Sequence, residues 1–174
     1  KGEGNYSTLN PSTYRVRIDT RLPQVTQLAF TSTNTGSNSE DFKNTIFARD
    51  IDTIHFTFET SEEIDNQIDR FPEVRFLDGA SEFKANSGSI VSTRDGKNWK
   101  ASLDASLLPD NKENYLGVRI IVYDEVGNQN DITISESQIR DNVTLNPFPS
   151  LSIRFDKLTP VLDNLTVVTT NSGI

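Results

Sequence analysis

The chain has 174 residues, with 25 acidic side chains against 17 basic ones, a formal charge of −8 and a pI near 4.6. That balance excludes a nucleic-acid-binding face, which needs clustered Lys and Arg, and the lack of Cys excludes disulfide staples and thiolate metal sites. No apolar run approaches the roughly 18 residues of a membrane helix and no signal peptide is visible, so any export signal or anchor is expected outside this stretch.

Period-2 alternation dominates, and helical periodicity is almost absent. In chain order, strands are predicted over Gln24–Ser32, Thr53–Glu59, Glu73–Leu77, Ser89–Ser92, Trp99–Leu103, Tyr115–Asp124, Asp131–Ser135 and Leu151–Phe155. The clearest puts Ile54, Phe56 and Phe58 on one face and Thr53, His55, Thr57 and Glu59 on the other. In Tyr115–Asp124, Val118, Ile120 and Val122 oppose Arg119, Ile121 and Tyr123. Turn signals at Asp78-Gly79, Asp95-Gly96, Pro109-Asp110-Asn111 and Val126-Gly127-Asn128 separate the runs. Seven or more short antiparallel strands, with turns about every 10 residues, describe an all-β sandwich. Thr33–Lys43 reads as a polar loop. Ser61–Arg70 reads as one or two helical turns capped by Ser61, with Ile64 and Ile68 inward, or as a plain loop.

The two ends of the chain repeat one another. The stretch from Arg17 lies without a gap on the stretch from Arg154, an offset of 137 residues (154 less 17). Asp19/Asp156, Pro23/Pro160, Leu28/Leu165, Thr33/Thr170, Asn34/Asn171 and Gly36/Gly173 are identical, and TLNP occurs at Thr8–Pro11 and again, one residue out of step, at Thr144–Pro147. Such self-similarity is the mark of a tandem array. Residues 1–20 are then the last strand and linker of a preceding repeat, 21–156 a whole sandwich, and 157–174 the linker and first strand of the next. Each junction runs Asp, three residues, Pro. Proline fixes its own φ and holds its predecessor extended, so the linker is stiff and the units are expected to form a rod.

Four segments resemble a known family. ARDIDTIHFTFETSEEI (Ala48–Ile64), DGKNWKASL (Asp95–Leu103), VYDEVGNQND (Val122–Asp131) and IDTRLPQV (Ile18–Val25) are similar, in the same order, to motifs of the bacterial immunoglobulin-like repeats of large cell-surface adhesins. The resemblance spans residues 18–157 and implies a Greek-key immunoglobulin-like β-sandwich, part of a tandem array or a strand-linked filament. Val126 replaces the usual Ala before Gly127-Asn128, and the unit exceeds the ~100 residues of a minimal sandwich. The extra length is expected in Thr33–Lys43, Ser61–Arg70 and Ser135–Pro149, where insertions could carry recognition.

A catalytic centre is hard to assemble. His55 is the single His and falls on the polar face of its strand; without a second His or any Cys, the familiar triads and His-rich zinc sites fail. Calcium asks only for six to eight oxygens. Asp50 and Asp52 enter a strand, Asp124, Glu125, Asn128 and Asp131 surround the Gly127 turn, and Asp19 and Asp156 mark the junctions, where adhesins of this kind are often stiffened by calcium. Asp19, Asp124, Asn128 and Asp156 are therefore the candidate calcium ligands, against the plainer reading that Asp and Asn serve their own turns. Trp99 shares a face with Ala101 and Leu103, as a core residue does, against the minor alternative of an aromatic sugar platform. Sequons at Asn5, Asn142 and Asn164 are as frequent as chance gives. No Lys stands in an apolar strand, as a Lys–Asp or Lys–Asn cross-link would require.

The expectation is a non-catalytic structural repeat of an extracellular, cell-surface adhesin or stalk, giving length and stiffness. Its partners are neighbouring repeats or copies of the same protein, with a host or neighbour-cell ligand elsewhere. The alternatives are a module binding carbohydrate or protein through its inserted loops, and a filament subunit assembling by strand complementation.

Overall fold

The computed structural model describes residues 18–34, 45–64, 70–94, 96–140, 152–161 and 163. Among the described residues eleven strands, one short α-helix and a 3-10 turn (Ala105–Leu107, between β7 and β8) follow in order: β1 (Val25–Ser32), β2 (Thr45–Ala48), β3 (Thr53–Thr60), β4 (Glu73–Asp78), β5 (Ser81–Lys84), β6 (Val91–Arg94), β7 (Asn98–Asp104), β8 (Glu113–Tyr115), β9 (Gly117–Tyr123), β10 (Gln129–Ile134), α1 (Glu136–Arg140) and β11 (Ser152–Asp156). The chain is an all-β sandwich. One antiparallel sheet has the order β1-β3-β7-β6, a second β10-β9-β4-β5, and a third β2-β11-β8.

Alternation explains which faces meet. Ile54, Phe56 and Phe58 of β3, Trp99, Ala101 and Leu103 of β7, and Leu28 and Phe30 of β1 are buried against Val74 and Phe76 of β4 and Val118, Ile120 and Val122 of β9. His55 and Thr57 stand on the other face of β3, half-buried and exposed. Phe56 and Phe58 stack with centroids 5.7 Å apart. The Trp99 indole N–H donates to the Gly96 carbonyl at 3.0 Å, so the buried ring carries no orphan donor. Burying one such aromatic is worth about 3 kcal/mol by area.

The third sheet feeds Ala48, Ile153 and Phe155 into the same core. Its central strand β11 is antiparallel to β8 but parallel to β2, with Ser152 opposite Thr45. The other ladders are antiparallel, and side-chain alternation does not distinguish the two senses. The strand predicted over Tyr115–Asp124 is two strands. It breaks at Leu116, whose N–H bonds the Ile153 carbonyl at 3.1 Å, and the chain passes there from the third sheet to the second. Gly117 follows because a Cβ there would lie 2.6 Å from the Ile134 carbonyl oxygen.

Other boundaries moved. Ser89–Ser92 is replaced by Val91–Arg94, and β2 and β5 were not expected. Ser61 does not cap a helix. Its N–H bonds the Gln24 carbonyl (2.8 Å) and its hydroxyl accepts the Gln24 N–H (3.0 Å), while Ile64 is buried in an extended bridge to Asp124. Helix α1 was missed. Ser135 and Gln138 cap it reciprocally: Gln138 Oε1 accepts the Ser135 N–H (2.9 Å) and Ser135 Oγ the Gln138 N–H (3.3 Å). Most of the Thr33–Lys43 loop, the centre of Ser61–Arg70, the connection beyond Arg140, both TLNP segments, the three sequons and the expected strand from Leu165 lie outside the described residues.

Candidate functional site: the two junctions

At one end of the sandwich, β9 runs into the Asp124–Asn128 turn. Gly127 adopts φ +92°, so the backbone asks for glycine, while a Cβ there would meet only the movable end of the Arg70 side chain, 3.0 Å away. The Gly127 N–H bonds the Asp124 carbonyl at 3.0 Å. The Asp124 carboxylate, 2% exposed, fills the turn: Oδ1 accepts the N–H groups of Val126 (3.0 Å) and Asn128 (2.7 Å), and Oδ2 accepts Asn128 Nδ2 (2.7 Å). Burial pushes this carboxyl up, but hydrogen bonds from Asn128, Gly127 and Val126 outweigh it and hold it below the usual carboxylate value.

Asn128 also reaches across to the incoming chain. Its Nδ2 donates to the Asp19 carbonyl at 3.0 Å and lies 3.4 Å from the Arg21 carbonyl, and Asn130 Nδ2 donates to the Pro23 carbonyl at 2.7 Å. Two side-chain amides of β10 and its turn thereby clamp the segment that leads into β1. Asp19 itself accepts the Arg21 N–H on Oδ1 at 3.1 Å.

Of the four candidate ligands, the structure brings Asp19, Asp124 and Asn128 together and adds Glu62, just past the end of β3. One carboxylate oxygen from each of Asp19, Glu62 and Asp124 lies within 4.8 Å of the others. Glu62 carries no signal in the sequence because it meets Asp124 only once two different sheets are stacked; the Ile64–Asp124 bridge is what joins them. Among the described residues these three are the group able to hold a cation. Hard oxygens suit calcium, and three carboxylates supply part of its six to eight donors. Asn128 offers amide N–H here, not its oxygen.

Asp156 is elsewhere. The eight residues of β3 separate Glu62 from the turn at Asp50, about 26 Å of strand, and Asp156 belongs to that far end. It lies opposite Glu113 on β11, and its Oδ1 accepts the Leu158 N–H at 3.0 Å. Asp19 makes the same bond to the residue two places on. Next to it the Lys157 side chain is 3% exposed, with Nζ 2.8 Å from Asp50 Oδ1 and 2.7 Å from Asp110 Oδ1. The Leu108 and Ser106 carbonyls accept from it at 2.8 and 3.3 Å. Burial works against this ammonium, but hydrogen bonds to Asp110 and Asp50, and then their charges, hold its pKa above the ordinary lysine value. A buried Lys beside aspartates was not expected from sequence, since loops and not an apolar strand bury it. Two aspartates and two carbonyls around one ammonium make the geometry of a buried ion pair.

The remaining candidates have structural roles. Asp52 accepts the Arg49 N–H at 2.7 Å within the turn before β3. Asp131 takes both arms of Arg119, at 2.9 and 2.6 Å. Glu125 is exposed on the turn. His55 Nδ1 lies 2.8 Å from Ser102 Oγ, and burial, then Lys100, lowers its pKa. Comparison with protein-family models and with curated proteins gives no match.

Proposed function

We propose that this chain carries a non-catalytic, immunoglobulin-like structural repeat of an extracellular surface protein, one unit of a tandem array that sets length and stiffness. One observation carries the reading: Asp19 and Asp156, 137 residues apart by difference of their numbers, make the same turn at opposite ends of one sandwich. Units whose entry and exit share a structure, and lie a strand's length apart, stack end to end and lengthen a molecule with each copy. The strong acidic balance keeps such a surface solvated. The sequence resemblance to adhesin repeats supports the same reading, as does the short supply of catalytic side chains.

The test is the parent reading frame and its place in the cell. Further copies at 137-residue spacing, and labelling of the domain on intact cells by an antibody raised to it, are expected. A frame without other copies, or a product accessible only after lysis, would overturn the proposal.

A further inference from the structure

The first junction shows how a linker is held by the unit that follows it. Asn128 holds the carbonyl of Asp19, Asn130 holds that of Pro23, and Pro23 is buried. The second junction has the same Asp and Pro at the same spacing and the same Asp-centred turn, yet Pro160 is exposed, as are Leu158 and Val161. Upstream of that exposed run nothing is loose. Asp156 is the last residue of β11, the Lys157 N–H bonds the Lys112 carbonyl at 3.0 Å, and its side chain sits in the Asp50/Asp110 socket.

We propose that the junction contains no free residue: Asp156–Pro160 seats on the Asn128/Asn130 clamp of a following unit of the same kind while Lys157 is still locked in this one. The two grips overlap, because the clamp begins at the position of Asp19, equivalent to Asp156, and the socket ends at Lys157. This rests on the tandem-array reading and adds to it the partner and the surfaces.

The surfaces left to meet are apolar at their centres. Ile51 and Leu107, 82% and 56% exposed, flank the Lys157 socket, and Val126, 54% exposed, tops the clamp turn. A linker without slack brings Val126 of the following unit to the end bearing Ile51 and Leu107. So few side chains fall short of the ~1,000 Å² that a lasting interface between separate chains needs. The contact is held by the tether, through effective concentration, and separate chains at micromolar concentration stay monomeric.

The experiment uses a tandem that crosses over at the identical pair Leu165/Leu28, residues 1–164 followed by 28–174, which keeps the native junction. ¹⁵N relaxation should show both units sharing one anisotropic tumbling motion, slower than that of the single chain. Asn128→Ala with Asn130→Ala in the second unit should abolish the shared motion. Where those substitutions unfold that unit, two glycines inserted after Lys157 give the same loss with both units intact. Independent tumbling of the unaltered tandem, or shared tumbling that survives the inserted glycines, overturns the seating. A parent frame lacking further copies removes the array reading whatever the relaxation shows, so the two failures are distinguishable.

Discussion

Phe56 of β3 meets Phe76 of β4 edge-on, with ring centroids 6.3 Å apart and planes at 77°. That contact crosses from the first sheet to the second, and Phe30 (4.9 Å) and Phe58 (5.7 Å) pack on the same ring. Phe56→Ala opens a cavity between the layers and should cost about 3–5 kcal/mol, measured by urea unfolding. His55→Ala, one residue along, loses a single hydrogen bond on the outer face and should cost under about 1 kcal/mol. Equal costs for the two would show that the faces of β3 are misassigned.

Lys157 gives an alkaline signature. Its folded-state pKa is raised above 10.5, so its contribution is whole below pH 10.5 and disappears as the pH rises through the folded value. Lys157→Met should lower stability by about 1–2 kcal/mol at neutral pH, since it strips the Leu108 and Ser106 carbonyls of their donor. The same variant should flatten the loss of stability above pH 10.5. Ending the chain after Lys157 should leave the melting temperature close to that of the full chain, whereas ending it after Asp156 should reproduce the cost of losing Lys157. A truncation after Lys157 that unfolds the sandwich would place its boundary further along.

Asp124 gives the acid counterpart. Its folded-state pKa lies below 3.8, so its contribution is present above pH 3.8 and is lost as the pH falls through the folded value. Asp124→Asn should weaken the turn by about 1–2 kcal/mol at pH 7 and reduce the acid slope. Millimolar calcium should raise the melting temperature of the native chain by several degrees; a bound ion adds about 2.7 kcal/mol at a hundredfold excess over Kd. Glu62→Gln should diminish that gain while leaving the Asp124 turn intact. Superimposable melting curves in calcium and in chelator would assign Asp19, Glu62 and Asp124 to turn and linker geometry alone.

Gly117 is needed for space rather than for φ. A methyl group there would lie 2.6 Å from the Ile134 carbonyl oxygen and 3.0 Å from the Glu136 nitrogen, both backbone atoms. Gly117→Ala should therefore cost about 1–3 kcal/mol, as overpacking does. Gly88→Ala places its methyl in open space and carries only the strain of φ +71°, about 1 kcal/mol. Equal melting temperatures for Gly117→Ala and the native chain would show that the corner between β10 and α1 yields easily.

Most strands legible in the sequence have a dry face and a wet one: β1, β3, β4, β7, β9 and β10 alternate cleanly enough to read, and the run ending at Phe155 marks β11. The missed ones lack that contrast. β5 (SEFK) is a short, largely exposed edge, and β2 (TIFA) buries Thr45 and Ala48 while Ile46 and Phe47 are only half-buried. The break at Leu116 was invisible because Tyr115 and Leu116 continue the alternating pattern while the chain changes sheets. Likewise Asp19, Asp124 and Asn128 could be singled out by residue type and turn context, since their partners are near in sequence or in the repeat. Glu62 and the Lys157 socket could not. They are made by residues from separate loops whose meeting depends on which sheets stack.

The place of β11 between β2 and β8 has a mechanical consequence. In the tandem array proposed above, tension enters at Asp19 and leaves at Lys157, directly past the end of β11, and its component along that strand loads it in shear. A pull in that direction slides β11 past β2 and β8 together, loading their rungs at once instead of peeling them off in turn. The last strand then resists as a lap joint does, where strength grows with the length of overlap.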